Sequence, residues 1–138
     1  MQSITEIQQE ILDDFEMFED WEQKYEYLID LGKDLLPLQD KYKVDANLIK
    51  GCQSRVWLHA ERKNNKILYY ADSDAIMTKG IVSLLIRVFS GQNAKEIIGA
   101  DLNFIDKIGL KEQLSATRAN GLLSMIKKMR LYALGLTE

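Results

Sequence analysis

The chain has 138 residues, 46% of them apolar, which is one domain's length with enough apolar side chain to build a core without covalent staples. A single cysteine and a single histidine exclude an internal disulfide, a C-x-x-C redox pair and a zinc site closed by four Cys or His ligands. The net charge of −3 argues against nucleic acid or an anionic membrane as partner, and no apolar run approaches the roughly 18 residues of a membrane-spanning helix.

The first residues carry neither a basic n-region nor an apolar h-region, so no signal peptide is expected and the expected compartment is the cytoplasm, where a lone thiol stays reduced. Charge is uneven along the chain. Residues 1–50 hold 13 acids and 5 bases, and residues 51–138 hold 8 acids and 13 bases. Two differently charged solvated faces account for this; an electrostatically steered protein partner is the sharper reading.

Ser3 and Glu6 form a capping box, and Ile4, Ile7, Ile11, Phe15 and Phe18 repeat at helical spacing, which predicts an amphipathic helix over about 3–17. Asp20 is the expected N-cap of a second helix with the stripe Trp21, Tyr25, Leu28 and Ile29, and Gly32 its expected cap. The short connection implies that the two pack as a hairpin. From Leu36 to Gly51 no period holds. Pro37 and the charged run after it read as a surface loop, with a short strand near Leu48 and Ile49.

Val56, Leu58 and Ala60 alternate with Trp57, His59 and Glu61, so a strand is expected over about 54–62. Asn64-Asn65 is turn chemistry, and Ile67 to Ala71 the returning strand. A two-residue hairpin then pairs Ala60 with Tyr69 and Leu58 with Ala71, keeping apolar side chains on one face. Asp72, Ser73 and Asp74 offer N-caps to an apolar helix of about 74–90 built on Ile76, Ile81, Leu84, Leu85, Val88 and Phe89. Gly80 inside it costs about 1 kcal/mol against alanine, which implies close approach by another backbone. Asn93 or Ala94 opens a short helix through Ile98, and Asn103 to Ile108 is another. Ser115 starts the last, with Leu122, Ile126, Met129, Ala133 and Leu136 on its apolar side. The fold class is α+β, one domain over 1–138: an N-terminal helical hairpin, a small curved antiparallel sheet, and C-terminal helices packed on it. Trp21 and Trp57 are expected in the core and Lys79 on a solvated helix face.

Cys52 falls on the loop before the first strand, in Asn47-Leu48-Ile49-Lys50-Gly51-Cys52-Gln53-Ser54-Arg55-Val56-Trp57. A lone cysteine is often only a small buried hydrophobe. Its loop position, the conformational freedom of Gly51 and the positive charge of Lys50 and Arg55 weigh against that reading and leave two open: an inert thiol, or one activated by local charge or by a partner's active site. A straight strand would place His59 up to about 23 Å away, which disfavours a cysteine hydrolase with a Cys–His dyad. Asn47 and Ser54 are expected to shape the loop by bonding to backbone. Asp74 is either a plain N-cap or part of a surface beside the cysteine loop. Arg118 places a cation in a first helical turn, against the helix dipole, which asks for a carboxylate partner.

The segment Asn47-x-Ile49-x-Gly51-Cys52-x-Ser54-x-Val56-Trp57 resembles the signature loop of the SufE family of sulfur-acceptor proteins. Trp21 to Tyr25 with Leu28 to Gly32 resembles its second helix, and Asp72 to Ala75 with Lys79-Gly80 its segment after the hairpin. Leu114-Ser115-x-x-Arg118-x-x-Gly121-Leu122 resembles the opening of its last helix, except that Ala116 stands where the family often has proline. The resemblance implies a SufE/IscU-like fold and a sulfur acceptor whose persulfide forms on Cys52. Gly51, Asn47, Ser54, Asp74 and Arg118 are then the loop and partner-binding residues. It implies a PLP-dependent, SufS-like cysteine desulfurase as donor and activated partner, with PLP belonging to that partner and no cofactor or metal in this chain. A downstream scaffold for iron–sulfur cluster assembly is the implied recipient, and the chain is a monomer or homodimer. Chemistry agrees: a second cysteine would resolve a persulfide into a disulfide and expel the sulfur, and this chain has none. The competing readings are an interaction module that activates a partner without carrying sulfur, and a carrier that feeds a different thiolation pathway.

Overall fold

In a computed structural model, which describes residues 2–49 and 54–136, the chain opens with α1 (Ile4–Glu16) and α2 (Trp21–Lys33). The capping box forms: the Glu6 amide donates to the Ser3 hydroxyl and the Ser3 amide to the Glu6 carboxylate. Asp20 caps α2 by accepting from the Gln23 amide. The two helices meet through Phe15, Phe18 and Tyr27, and the Tyr27 hydroxyl donates to Asp14. The closer backbone partner of α2, however, is the central helix α3 (Ile76–Phe89).

Gly32 accordingly does not cap α2, which runs on to Lys33 and ends at Asp34. It is buried at the crossing with α3, where a Cβ would lie 2.8 Å from the Gly80 nitrogen and 2.9 Å from the Lys79 Cβ. A Cβ on Gly80 would fall on the Leu28 carbonyl oxygen. The close approach expected at Gly80 is therefore there, and Gly32 belongs to the same contact.

The strands β1 (Val56–Lys63) and β2 (Lys66–Ser73) pair antiparallel with Leu58 opposite Ala71 and Ala60 opposite Tyr69, as the alternation predicts. Asn64 makes the turn at φ 58°. One face of the hairpin buries Val56, Leu58, Ile67, Tyr69 and Ala71 against Leu84, Leu85 and Phe89 of α3 and Met129 and Ala133 of α7 (Ala116–Gly135). Each large aliphatic or aromatic side chain among them is worth about 1.5–3 kcal/mol of burial. The Tyr69 hydroxyl donates to the Met129 carbonyl at 2.6 Å, tying sheet to helix, and burial pushes its pKa well up. The free edge of β2 is closed by the turn after α3, through Ile67 N–H to Gln92 and Gly91 N–H to Ile67.

Short helices α4 (Ala94–Gly99, capped by Asn93), α5 (Asn103–Lys107) and α6 (Leu110–Gln113) lead to α7, which Ser115 caps. Leu122, Ile126, Met129 and Ala133 are buried as the stripe requires. No helix among the described residues is long and apolar enough to cross a membrane.

Four expectations change. Asp72 and Ser73 belong to β2 and Asp74 turns away, so none of them caps α3, whose N-cap is Ala75 with no side-chain bond. Ile76, placed on the apolar stripe, is 64% exposed in the first turn of α3. The segment 36–49 is more than a surface loop. It buries Leu38 and lays Tyr42 on the outer face of the hairpin, with its ring stacked 3.8 Å from His59. Trp57 is therefore half-buried on that outer face, with Lys43 over its ring, and is not a core residue; Trp21 is half-buried at the core's margin.

Candidate functional site

The sequence places Cys52 and Gly51 between Ile49 and Val56; both lie outside the described residues, and the structure describes the stem on either side. On the entry side the Ile49 amide donates to the Val56 carbonyl at 2.9 Å and Leu48 bridges Trp57, so the expected short strand is a single bridge. Ile49 and Val56 are buried, which anchors the base of the stem in the core. Asn47 donates from Nδ2 to the Tyr42 carbonyl at 2.8 Å and holds the turn that feeds the stem, as its sequence role predicts.

On the exit side the stem is fastened to the start of α3. The Arg55 amide donates to Asp74 Oδ1 at 3.0 Å, and the Asp74 amide to the Arg55 carbonyl at 3.3 Å. Asp74 is thus a clamp on the strand entrance and not a helix cap. Ser54 meets the Thr78 hydroxyl at 3.1 Å, a side-chain partner in place of the expected backbone one. Arg118 is exposed in the first turn of α7, its amide donating to Ser115 Oγ, and its guanidinium has no ion-pair partner among the described residues. Of the expected site residues, the described contacts bring Asn47, Ser54 and Asp74 to the stem; no contact among the described residues joins Arg118 to it.

His59 points to the outer face, opposite to Val56 and Leu58. Its ring is held by Tyr42, and Nε2 lies 3.0 Å from Glu61 Oε1.

Asp72 is the residue that local patterning misses. It is 6% exposed, with Oδ1 accepting from the Ser73 amide at 2.8 Å and lying 3.3 Å from Lys79 Nζ, while Oδ2 lies 3.3 Å from Lys43 Nζ. Lys79 is therefore a structural ion-pair partner and not simply solvated. One carboxylate joins the segment before the stem, β2 and α3. In the sequence it falls in the Asp72 to Ala75 segment of the family resemblance, and the hairpin register sets it opposite Trp57, but neither shows its pairing with Lys43 and Lys79.

Burial by itself would raise the Asp72 pKa, but the Ser73 amide and the two ammonium groups outweigh it and hold the carboxyl below the usual range. A depressed carboxyl stabilises the fold fully above the unfolded value of about 3.9 and loses that contribution as pH falls through the lower folded value. Asp72→Asn should cost about 1–3 kcal/mol at pH 7 by urea unfolding. The gap to wild type should narrow in acid. A gap unchanged between pH 7 and pH 3 would show that the ion pairs do not contribute.

A family model for SufE, described as an Fe-S metabolism associated domain, matches residues 9–133. The chain belongs to the SufE family. It is 40% identical to a SufE-like protein of Rhizobium meliloti (strain 1021) over 91% of this chain and 94% of the relative. It is also 40% identical to SufE-like protein 1 of Arabidopsis thaliana, named chloroplastic/mitochondrial, over 93% of this chain and 35% of that longer protein. The cysteine desulfuration protein SufE of Wigglesworthia glossinidia brevipalpis is 33% identical over 86% of this chain and 84% of its own. A solution structure of a hypothetical protein from Thermus thermophilus shares the fold, with a TM-score of 0.76, covering 94% of this chain and 96% of that one at 19% identity. Membership in SufE gives the chain a role in iron–sulfur metabolism and confirms the α+β architecture expected from the sequence.

Proposed function

We propose that this SufE-family chain, acting as a single domain in the cytoplasm, is a sulfur acceptor that works through Cys52. The Cys52 thiolate attacks the outer sulfur of a persulfide on a SufS-like, PLP-dependent cysteine desulfurase. A new S–S bond forms to Cys52, the old one breaks, the desulfurase cysteine leaves as thiolate, and Cys52 carries the S–SH group. Attack on the inner sulfur would release sulfide and leave a mixed disulfide, so the direction of approach decides the outcome. Loading in this way frees the desulfurase for another turnover, and the sulfur passes on for iron–sulfur cluster assembly. PLP remains the partner's cofactor.

The observation that supports this reading best is the stem. The family's signature segment is closed at Ile49–Val56 and clamped at Arg55–Asp74, which fixes the chain on both sides of the residues that carry its only cysteine. Fixed ends limit the conformational entropy lost when the residues between them are ordered against a partner. Incubation with the desulfurase and cysteine should add the mass of one or more sulfur atoms to the intact chain, mapped to Cys52 and removed by reductant. Stimulated desulfurase activity with no sulfur on Cys52 would replace this reading with that of a non-carrying activator.

A further inference from the structure

A groove of about 710 Å³ runs between α7 and residues 45–49. Its floor is Leu48 and Ile49, the described end of the stem itself, and its far wall is Ser124, Lys127, Lys128 and Leu131 of α7. Those four positions recur at i, i+3, i+4 and i+7, one face of the helix. Leu131 is 52% exposed there, and Leu123, two turns earlier and in line with Lys127, is 48% exposed.

Charge marks this wall. Helix α7 carries Arg118, Lys127, Lys128 and Arg130 and no acid, in a chain whose net charge is −3. Arg130 is engaged with the Ala100 carbonyl at 2.6 Å, and Lys128 lies over the Tyr132 ring. No described carboxylate forms an ion pair with Lys127 or Lys128. Asp45 is the one acid among the described lining residues, on the opposite rim.

We propose that this groove is where the cysteine desulfurase docks, through a segment that is acidic at its edge and apolar at its tip. The inference rests on the sulfur-acceptor reading and adds the surface that guides it. The donor must admit the loop as far as its stem, and the stem is the groove's floor, so a segment seated between Leu48 and Leu131 meets the same partner as the sulfur. The lysines supply the complementary charge that raises the encounter rate and fixes the register, and the apolar walls supply the contact that holds it. The uneven charge of the sequence then has a specific place: basic residues of its C-terminal half line the groove beside the stem.

The test is calorimetric binding to the purified PLP-dependent cysteine desulfurase of the same organism, at low and at physiological salt. Lys127→Glu/Lys128→Glu should weaken binding about tenfold or more and remove most of its salt dependence. Leu131→Asp, at an exposed position, should weaken it comparably with an unchanged thermal midpoint. Lys95→Glu/Lys107→Glu, exposed on α4 and α5, should change affinity less than about twofold. Unchanged affinity in both groove variants, with wild type still gaining sulfur, overturns the docking surface and leaves the acceptor reading intact. Variants that load normally but fail to pass sulfur on would assign the groove to the recipient and overturn the proposal as well. A wild-type chain that gains no sulfur would overturn the acceptor reading itself.

Discussion

Cys52→Ser should lower sulfur acceptance by roughly 10³-fold or more, to the background of the assay, with radiolabelled cysteine as the sulfur source. A serine hydroxyl stays protonated at neutral pH and is a poor nucleophile toward sulfur, whereas a cysteine thiolate is a strong one. The chain has no second thiol to take over. Neighbouring basic residues cannot substitute either, because they tune a nucleophile and do not supply one. The desulfurase should bind the variant about as tightly as wild type, since the stem contacts Ile49–Val56 and Arg55–Asp74 do not involve the replaced side chain. Undiminished labelling of the variant would remove Cys52 from the mechanism. Loss of both labelling and binding would place Cys52 in the interface and leave its chemistry to be shown by the mass experiment.

The parts of this structure that are legible in the sequence are those that a short window determines. Ser3 with Glu6, Asp20, Asn93 and Ser115 each cap the helix expected of them, because a cap needs only a side-chain oxygen and an amide two or three residues on. The hairpin register follows from alternation and the Asn64-Asn65 turn, since a slip of one residue would turn Leu58 and Tyr69 out of the core. The local pattern fails where a distant segment outvotes it. Asp72-Ser73-Asp74 has the composition of a helix cap, but β2 runs two residues further to meet Val56, and Asp74 is taken by the Arg55 amide. Trp57 alternates correctly out of the core, yet is half-buried because segment 36–49 covers that face, and nothing local announces the cover. The stem residues Asn47, Ser54 and Asp74 are reached through the family resemblance. Asp72, which ties three segments together beside them, lies in a segment the resemblance covers, but its ion pairs are not legible there, because Lys43 and Lys79 lie outside its strand.

The largest expected effect on stability is at Gly80. In an open helical position Gly→Ala is favourable by about 0.4–1 kcal/mol, because it restricts the unfolded chain. At Gly80 the sign reverses. The added methyl would fall on the Leu28 carbonyl, and neither group is the end of a flexible side chain that can swing aside. The α2–α3 pair must separate instead, which loosens Leu28 and Leu84, both nearly inaccessible at the centre of the core. Overpacking of this kind costs about 3 kcal/mol, and for a chain of this size that lowers the thermal midpoint by roughly 10 °C. Gly32→Ala meets the Gly80 nitrogen and Lys79 from the opposite helix and should cost a similar amount. The double variant should lose less than the sum, because helices already parted by one methyl make room for the other. Gly135→Ala, with open space around it at the end of α7, is the control and should be neutral or mildly stabilising. The crossing also carries Lys79, so parting the helices should draw its ammonium from Asp72 and make the Gly80→Ala fold lose less stability in acid than wild type does. A Gly80→Ala midpoint at or above wild type would mean that α2 and α3 are not in backbone contact.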